Sequence, residues 1–373
     1  MTASPPDVSV VIVNYNSGQH LAANLDGFLL PGNPLRTELV VVDCASPIDQ
    51  TRHLEAARRR GARVIALDHN AGYAGGLNTG LAASSGRIVI LANADVMALT
   101  QVVPELAACL DANPDVAFVT PRAYCDLGRT FQVPDFRLPT RRAIAAELAG
   151  RLSGRVAAWI GMRNTRSRVA YWSATAATEH SSLHGALLAT RRETLAAIGG
   201  FDPSFPLYYE DTDVFRRASR AGYRLVSLPS PRIVHLVHRS SATVWDQAMA
   251  KLAIGRRLYL RRHLGPITAG VDRLAGRAIA AWTGRRPAAP VRPFVELAAT
   301  ASPTFAWRNA SDEVVVEVAL DPHFIEAVGH LTRGASFVMS EPTWDSLLPG
   351  VYYMRALRVA GLSELARWRL LKS

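Results

Sequence analysis

Short β-branched apolar runs alternate with stretches of helical periodicity over the first hundred residues. "VSVVIV" (Val8–Val13), "ELVVVD" (Glu38–Asp43), "ARVIAL" (Ala62–Leu67) and "RIVILA" (Arg87–Ala92) are continuous enough to be buried parallel strands. Between them, Gln19–Leu30, Ile48–Arg60 and Ala74–Ala83 are compatible with helix. Strand, helix, strand at this spacing predicts βαβ units and an α/β fold on a mostly parallel sheet. Such sheets bind ligands at the carboxyl ends of their strands. The polar segments "NYNSG", "DCAS", "DHNAGYAGG" and "NADV" therefore mark the first places to look for chemistry.

The pattern changes near residue 135. Ile144, Leu148, Leu152, Val156 and Ile160 recur at roughly helical spacing amid eight arginines, which predicts a basic amphipathic helical insertion over 135–180. "SLHGALLAT" returns to strand character, "RRETLAAIGGFD" reads as a short helix stopped by Gly199-Gly200, and "EDTDVFRRASRAGY" opens a second helix with three acids. "RLVSL" and "RIVHLV" read as two strands, followed by a basic stretch from Arg256 to Arg286. The Pro-rich "GRRPAAPVRP" (Gly284–Pro293) reads as a linker. Beyond it, "PTFAWRN", "EVVVEVAL", "ASFVMS", "VYYMRALRV" and "ELARWRLL" are short alternating runs separated by turn residues. The expected organisation is an α/β domain over 1–265 that contains the insertion, a basic helix and linker over 266–293, and a small all-β sandwich over 294–373.

Composition narrows the class of protein. A chain of 373 residues with 49% hydrophobic content can bury a large core, and its charge of +11 is carried almost wholly by arginine, lysine occurring only at 251 and 372. Such a balance favours anionic partners: a nucleotide, a lipid diphosphate, an anionic membrane surface or nucleic acid. The arginines lack interleaved aromatics and match no nucleic-acid motif, so no nucleic-acid partner is expected. Cys44, Cys109 and Cys125 are scattered without CxxC spacing, which argues against a disulfide framework or zinc site and fits a reducing cytoplasm. The start "MTASPPDVSVVIV" has no basic n-region, so no signal peptide is expected, and no stretch has the ~20 apolar residues needed to span a bilayer.

Candidate chemistry lies on the carboxylates. Asp43 ends the second strand and Asp95 follows the fourth, which puts both on one rim of an open parallel sheet. Spacing alone does not bring Glu210-Asp211 to that rim. Taken by themselves, Glu210, Asp211 and Asp213 are explained as charge at a helix N-terminus, each stabilising by ~0.3–1 kcal/mol. "NAGYAGGLNTG" is a glycine-rich stretch of the kind that lets backbone N–H groups approach phosphate, but it is neither a dinucleotide fingerprint nor a P-loop. His235 and His238, three apart in a strand, point to opposite faces, so at most one can be a metal ligand.

The order of these pieces resembles glycosyltransferase family 2, whose fold is GT-A. The resemblance rests on "VSVVIVNYNSGQHL", "LVVVDCAS", "NAGYAGGLNTGL", "GRIVILANADV" and "GGFDPSFPLYYEDTDVFRRASRAGYRLV", the last being the most specific. It covers about Val8 to Leu264 and is greatest to rhamnosyltransferase-type members; the C-terminal part is similar to a fibronectin type III or related Ig-like sandwich. The resemblance implies an inverting transfer of a sugar from a dTDP- or UDP-sugar to a cell-surface glycan or polyprenyl-diphosphate-linked saccharide, at the inner face of the plasma membrane. It implies Asp211 as base with Glu210 beside it, and a divalent Mg²⁺ or Mn²⁺ held by Asp95 and His235. Asn93 stands where the family's D-x-D motif has its first acid, and implies a neutral contact to ribose or to the metal shell. Asn14, Tyr15, Asn16 and Asp43 would hold the base and ribose, while Asn70, Gly72, Gly75, Gly76 and Asn78 would line the base and diphosphate. His184 and Gly185 would line the sugar pocket. Cys44 departs from the family's usual Asn. The alternative is a glycan- or nucleotide-binding protein on a degenerate transferase scaffold, which would keep Asp43 but need neither Asp95 nor Glu210-Asp211.

Overall fold

The computed structural model describes residues 5–236, 245–284, 288–308 and 312–373. Its elements begin with β1 (Val8–Asn14), α1 (Gly18–Phe28), β2 (Thr37–Asp43), α2 (Thr51–Arg59), β3 (Arg63–Ala66), α3 (Gly72–Ala82) and β4 (Ile88–Asn93). There follow β5 (Val96–Ala98), α4 (Val102–Ala112), β6 (Val116–Tyr124), α5 (Arg141–Leu152), α6 (Gly154–Trp172), β7 (Thr178–His180) and β8 (Leu187–Arg191). Next come α7 (Arg192–Ala197), α8 (Glu210–Arg220), β9 (Arg224–His235), α9 (Trp245–His263) and α10 (Pro266–Thr283). The chain ends with β10 (Val295–Ala299), β11 (Thr304–Ala306), β12 (Glu313–Ala319), β13 (Ala327–Arg333), β14 (Ser336–Val338), α11 (Glu341–Ser346), β15 (Gly350–Arg358) and β16 (Glu364–Lys372).

Two compact units emerge, and neither is continuous in sequence. The first contains 1–123, 136–138 and 175–263; the second contains 124–135, 139–174 and 264–373. The first unit is the expected α/β architecture, a mixed sheet in the order β3-β2-β1-β4-β8-β6-β9-β5, with β7 also paired to β9. Strands β3, β2, β1 and β4 run parallel, and β8 turns antiparallel against β4. Every residue of β1 is buried, because helices cover the sheet, and this accounts for its unbroken apolar run. Val11, Val13, Val40 and Val42 pack with Leu77 of α3 and with Val214 and Phe215 of α8 in one core.

The glycine-rich stretch runs into α3, in agreement with the helical periodicity of Ala74–Ala83, with Gly72, Gly75, Gly76 and Gly80 inside the helix. A Cβ at Gly76 would lie 2.8 Å from both Val13 and Cys44, and one at Gly80 would collide with Val11. These glycines let the helix lie close on β1 and β2. Packing overrides their poor helix propensity.

The second unit holds a five-stranded sheet, β10-β16-β15-β12-β13, and a two-stranded ribbon, β11-β14. Strand β12 is buried on both faces from Val314 to Ala319, and apolar there except at Glu317. Val314, Val316 and Val318 face a core shared with Phe305 and Phe337 of the ribbon, while Val315 packs with Val169 and Trp172 of α6. Glu317 lies in the same strand and is fully buried. One of its oxygens accepts from Arg168 of α6 (2.7 Å), the other from Arg355 of β15 (2.7 Å), and Thr165 bridges both (3.1 and 3.0 Å). Most of the segment expected as an insertion of the first domain is therefore built into the second unit. It is also two helices, since the chain breaks at Ser153, whose hydroxyl accepts the Val156 N–H to cap α6. The break resets the helical phase, which leaves Leu152 exposed although its spacing suggested burial. Among the described residues no helix is long and apolar enough to cross a membrane.

Candidate active site

The rim at the strand ends is built by register. Asn14 pairs with Asp43 across β1 and β2, and Val13 pairs with Asn93 across β1 and β4, so the polar residues that end three neighbouring strands stand side by side. The Asn14 amide donates to Asp43 Oδ1 (2.6 Å). Ser46, which the sequence reading passed over, donates its hydroxyl to the same oxygen (2.7 Å) and its N–H to Oδ2 (3.1 Å). The Ser46 hydroxyl also accepts the N–H of Asn16, a residue with φ of 55°. Asp43 is thereby fixed as an acceptor before any ligand arrives. Cys44 faces the opposite way, its thiol pushed up to about 11 by burial and by Asp43. It lies beneath α3, away from the rim.

Tyr15 packs half-buried against the core. Asn70 opens α3, its side-chain oxygen accepting the Gly72 N–H (2.9 Å). Gly72, at φ 70°, lies against the Pro206 carbonyl. Asn78 donates to the Phe201 carbonyl (2.8 Å), tying α3 to the segment that leads into α8. Gly75, Gly76 and Asn78 thus sit within a helix, and the Asn78 amide and the Gly76 face are engaged by protein.

A second cluster gathers around Asp95. After the Asn-Ala-Asp turn, β5 pairs antiparallel with the end of β9, matching Val96 to His235. That pairing brings His235 Nε2 to 3.4 Å from Asp95 Oδ1 and 3.3 Å from the Asn93 amide. His235 Nδ1 meets His184 Nε2 at 3.2 Å, and the Phe136 ring covers His184. Burial and the neighbouring His235 push His184 down to about 3, so it is neutral at physiological pH. Its Nδ1 has no hydrogen-bond partner among the described residues. His238 lies outside the described residues.

The three acids of α8 have separate fates. Asp213 is buried among Arg217 (2.8 Å), Arg262 (3.1 Å) and His263 (2.7 Å), the last two from α9, and it falls to about 2 as those hydrogen bonds and charges outweigh its desolvation. Glu210 is buried without such partners. Burial and the adjacent Asp211 raise it to about 8, and its Oε2 has no hydrogen-bond partner among the described residues. Asp211 is half-buried and also raised, by desolvation, although Oδ1 accepts from the Thr212 N–H and hydroxyl. Its other oxygen lies against the place where a Cβ on Gly185 would stand, so a side chain at 185 would displace the Asp211 carboxylate. The helix follows two consecutive left-handed residues, Tyr208 and Tyr209 (φ 64° and 69°), a strain of the kind held at functional sites.

Tyr73 joins the groups. Its hydroxyl is buried without a hydrogen-bond partner among the described residues, and burial, then Glu210, Asp211 and Asp95, push its pKa well above the ordinary value. Sequence reading missed it because a single Tyr inside a glycine-rich stretch carries no pattern of its own.

The two carboxylates have opposite effects on stability with pH. Glu210 keeps its proton in the folded chain after the unfolded chain has lost it, so its contribution falls as pH rises from about 4.5 to about 8. Asp213 contributes fully above the unfolded carboxylate range, and this is lost as pH falls through about 2. Thermal unfolding of Glu210→Gln should therefore show a higher Tm than the parent at pH 8, with the difference closing towards pH 4. Parallel curves for the two proteins would exclude the raised Glu210.

With this geometry in place, comparison with known proteins assigns the chain. The profile described as glycosyl transferase family 2 matches residues 9–166, and that described as glycosyl transferase family group 2 matches residues 88–284, more than half of the chain. The chain belongs to glycosyltransferase family 2 and is a nucleotide-sugar-dependent glycosyltransferase. It is 28% identical over 273 residues to the N-acetylglucosaminyl-diphospho-decaprenol L-rhamnosyltransferase of Mycobacterium tuberculosis, a match covering 69% of this chain and 85% of that protein. Among solved structures it is similar to a mannosyltransferase of Pyrobaculum calidifontis in complex with GDP-Man and Mn²⁺, at 22% identity and TM-score 0.42, covering 76% and 80% of the two chains. It is also similar to S. aureus TarS 1-349, at 17% identity and TM-score 0.40, covering 75% and 73%.

Proposed function

We propose that the chain transfers a sugar, rhamnose in the first instance, with inversion from a dTDP- or UDP-sugar to a polyprenyl-diphosphate-linked saccharide or other cell-surface glycan, working from the cytoplasmic face of the membrane. The observation that carries the mechanism is the contrast within α8: Asp213 is neutralised by Arg217 and Arg262 and hydrogen-bonded to His263, whereas Glu210 and Asp211 are held back from ionisation. Groups kept partly protonated by burial and by each other are suited to proton transfer. With its pKa near 8, Glu210 retains the pair's shared proton at neutral pH. Asp211 is then the base that takes the acceptor hydroxyl's proton as the oxygen attacks the anomeric carbon. Tyr73 and Glu210 offer hydrogen-bond groups to the acceptor, and Asp43 Oδ2 offers an acceptor to the N3–H of uracil or thymine.

The residues present fit a hard divalent cation. Asp95 Oδ1 and His235 Nε2 are 3.4 Å apart, a separation that suits two ligands of one ion. No group of three or more His, Cys, Asp or Glu among the described residues could hold a metal. Mg²⁺ or Mn²⁺ characteristically takes few protein ligands and completes its shell with water and substrate phosphate. When bound, such a cation would neutralise charge on the departing diphosphate. Asn93 meets His235 as a neutral neighbour, consistent with a role in the outer shell.

The M. tuberculosis relative's name, with its diphospho-decaprenol acceptor and rhamnosyl transfer, supports the transferred sugar and the acceptor class. We also read residues 294–373 as a fibronectin type III or Ig-like sandwich, supported by the core that Phe305 and Phe337 of the ribbon share with Trp368 of the sheet. A panel of nucleotide sugars tests the central reading. Nucleoside diphosphate should be released from a dTDP- or UDP-sugar with Mn²⁺ or Mg²⁺ and not after chelation. Binding of nucleotides without turnover of any donor would instead support a glycan- or nucleotide-binding protein.

A further inference from the structure

Helix α10 presents an apolar stripe that no described part of the chain covers. Ile267, Val271, Leu274 and Trp282 are 82%, 54%, 61% and 87% exposed, and Ala278 between them is exposed as well. At 100° per residue these five fall within an arc of about 80° on one face of the helix. The other side of the helix is occupied: Ala269 and Ile279 are buried, and the Gly276 carbonyl accepts from Arg151 of α5 (3.5 Å). The helix is thus docked by one face and leaves a second apolar face to solvent.

Charge identifies the occupant. Exposed Arg273 and Arg277 border one edge of the stripe, against the single acid Asp272 in the helix. Trp282 stands at the helix end. Arginines beside a narrow apolar stripe, with a tryptophan at its border, match the boundary between lipid headgroups and acyl chains. A second copy of the chain is a poorer occupant. One helical stripe offers less than the ~800 Å² per partner of a stable interface, and the arginines along its edge would face each other.

We propose that α10 is an in-plane membrane-binding helix that seats the enzyme on an anionic bilayer through Ile267, Val271, Leu274 and Trp282, with Arg273 and Arg277 against lipid phosphates. The proposal goes beyond the lipid-linked acceptor reading and is tested without donor or acceptor, so either can fail alone. The full chain is floated with vesicles of phosphatidylcholine alone and of phosphatidylcholine with phosphatidylglycerol, at low and high salt. It should bind the anionic vesicles more strongly, and less so at high salt. The double substitution Leu274→Glu with Trp282→Glu should weaken that binding at least tenfold, with circular dichroism and lipid-free donor hydrolysis unchanged. Absence of binding to anionic vesicles, or equal binding by the variant, would overturn the proposal. So would a dimer in sedimentation that the same substitutions dissociate, since the stripe would then be a self-association face.

Discussion

Asp211→Asn should lower kcat by about 10²–10⁴-fold, with little change in donor binding. Asn preserves the shape of the side chain and can still accept from Thr212, whose N–H and hydroxyl hold Asp211 Oδ1 at 2.6 and 3.1 Å. It cannot take up the proton of an attacking hydroxyl. The loss should therefore fall on the chemical step, which steady-state kinetics with donor and acceptor separates from binding. Because desolvation raises Asp211, the acid limb of the kcat profile should lie above the ordinary aspartate range. Unimpaired turnover by Asp211→Asn would remove this residue from the role of base.

The largest stability effect is expected in the second unit. Glu317 is completely buried between Arg168 and Arg355, each within 2.7 Å and each at most 3% exposed. Glu317→Ala would leave two guanidinium groups facing each other out of water. Losing one partner from such a network costs about 3–5 kcal/mol, and that is the loss expected in urea denaturation. Replacing all three charged residues by apolar ones of similar volume should cost far less, because no charge then remains to be desolvated. A small loss for Glu317→Ala, matching the triple variant, would show that water reaches the cluster.

Strands β1, β2 and β4 were legible because they lie between layers and need long apolar runs. Asp43, Asp95 and the Glu210-Asp211 pair were legible as acids placed where strands and helices begin or end. What joins them was not. His235 reaches the Asn93 and Asp95 turn through the pairing of β5 with β9, across 142 residues to Asn93. Asp213 looked equivalent to its neighbours until Arg262 and His263 of α9, some fifty residues on, came to lie against it. Gly75, Gly76 and Gly80 lie in a stretch whose periodicity suits a helix although their own propensity opposes it, and the reason is physical. Local propensity argues for a loop, but the close seat on Val11 and Val13 selects a helix in which only glycine fits. The place of α6 was equally hidden, since the partner of Arg168 lies 149 residues downstream in a strand that reads as ordinary core.

The alternation of segments between the two units bears on how the chain emerges from the ribosome. The first unit draws on residues up to 263, and the second on residues from 124 to the last strand. Helix α6 is synthesised long before Glu317, so Arg168 must remain solvated until β12 and β15 arrive. A cut in the Pro-rich stretch near 290 would therefore not separate two domains. It would leave an N-terminal fragment whose helix α6 has lost its sheet, an apolar surface open to aggregation.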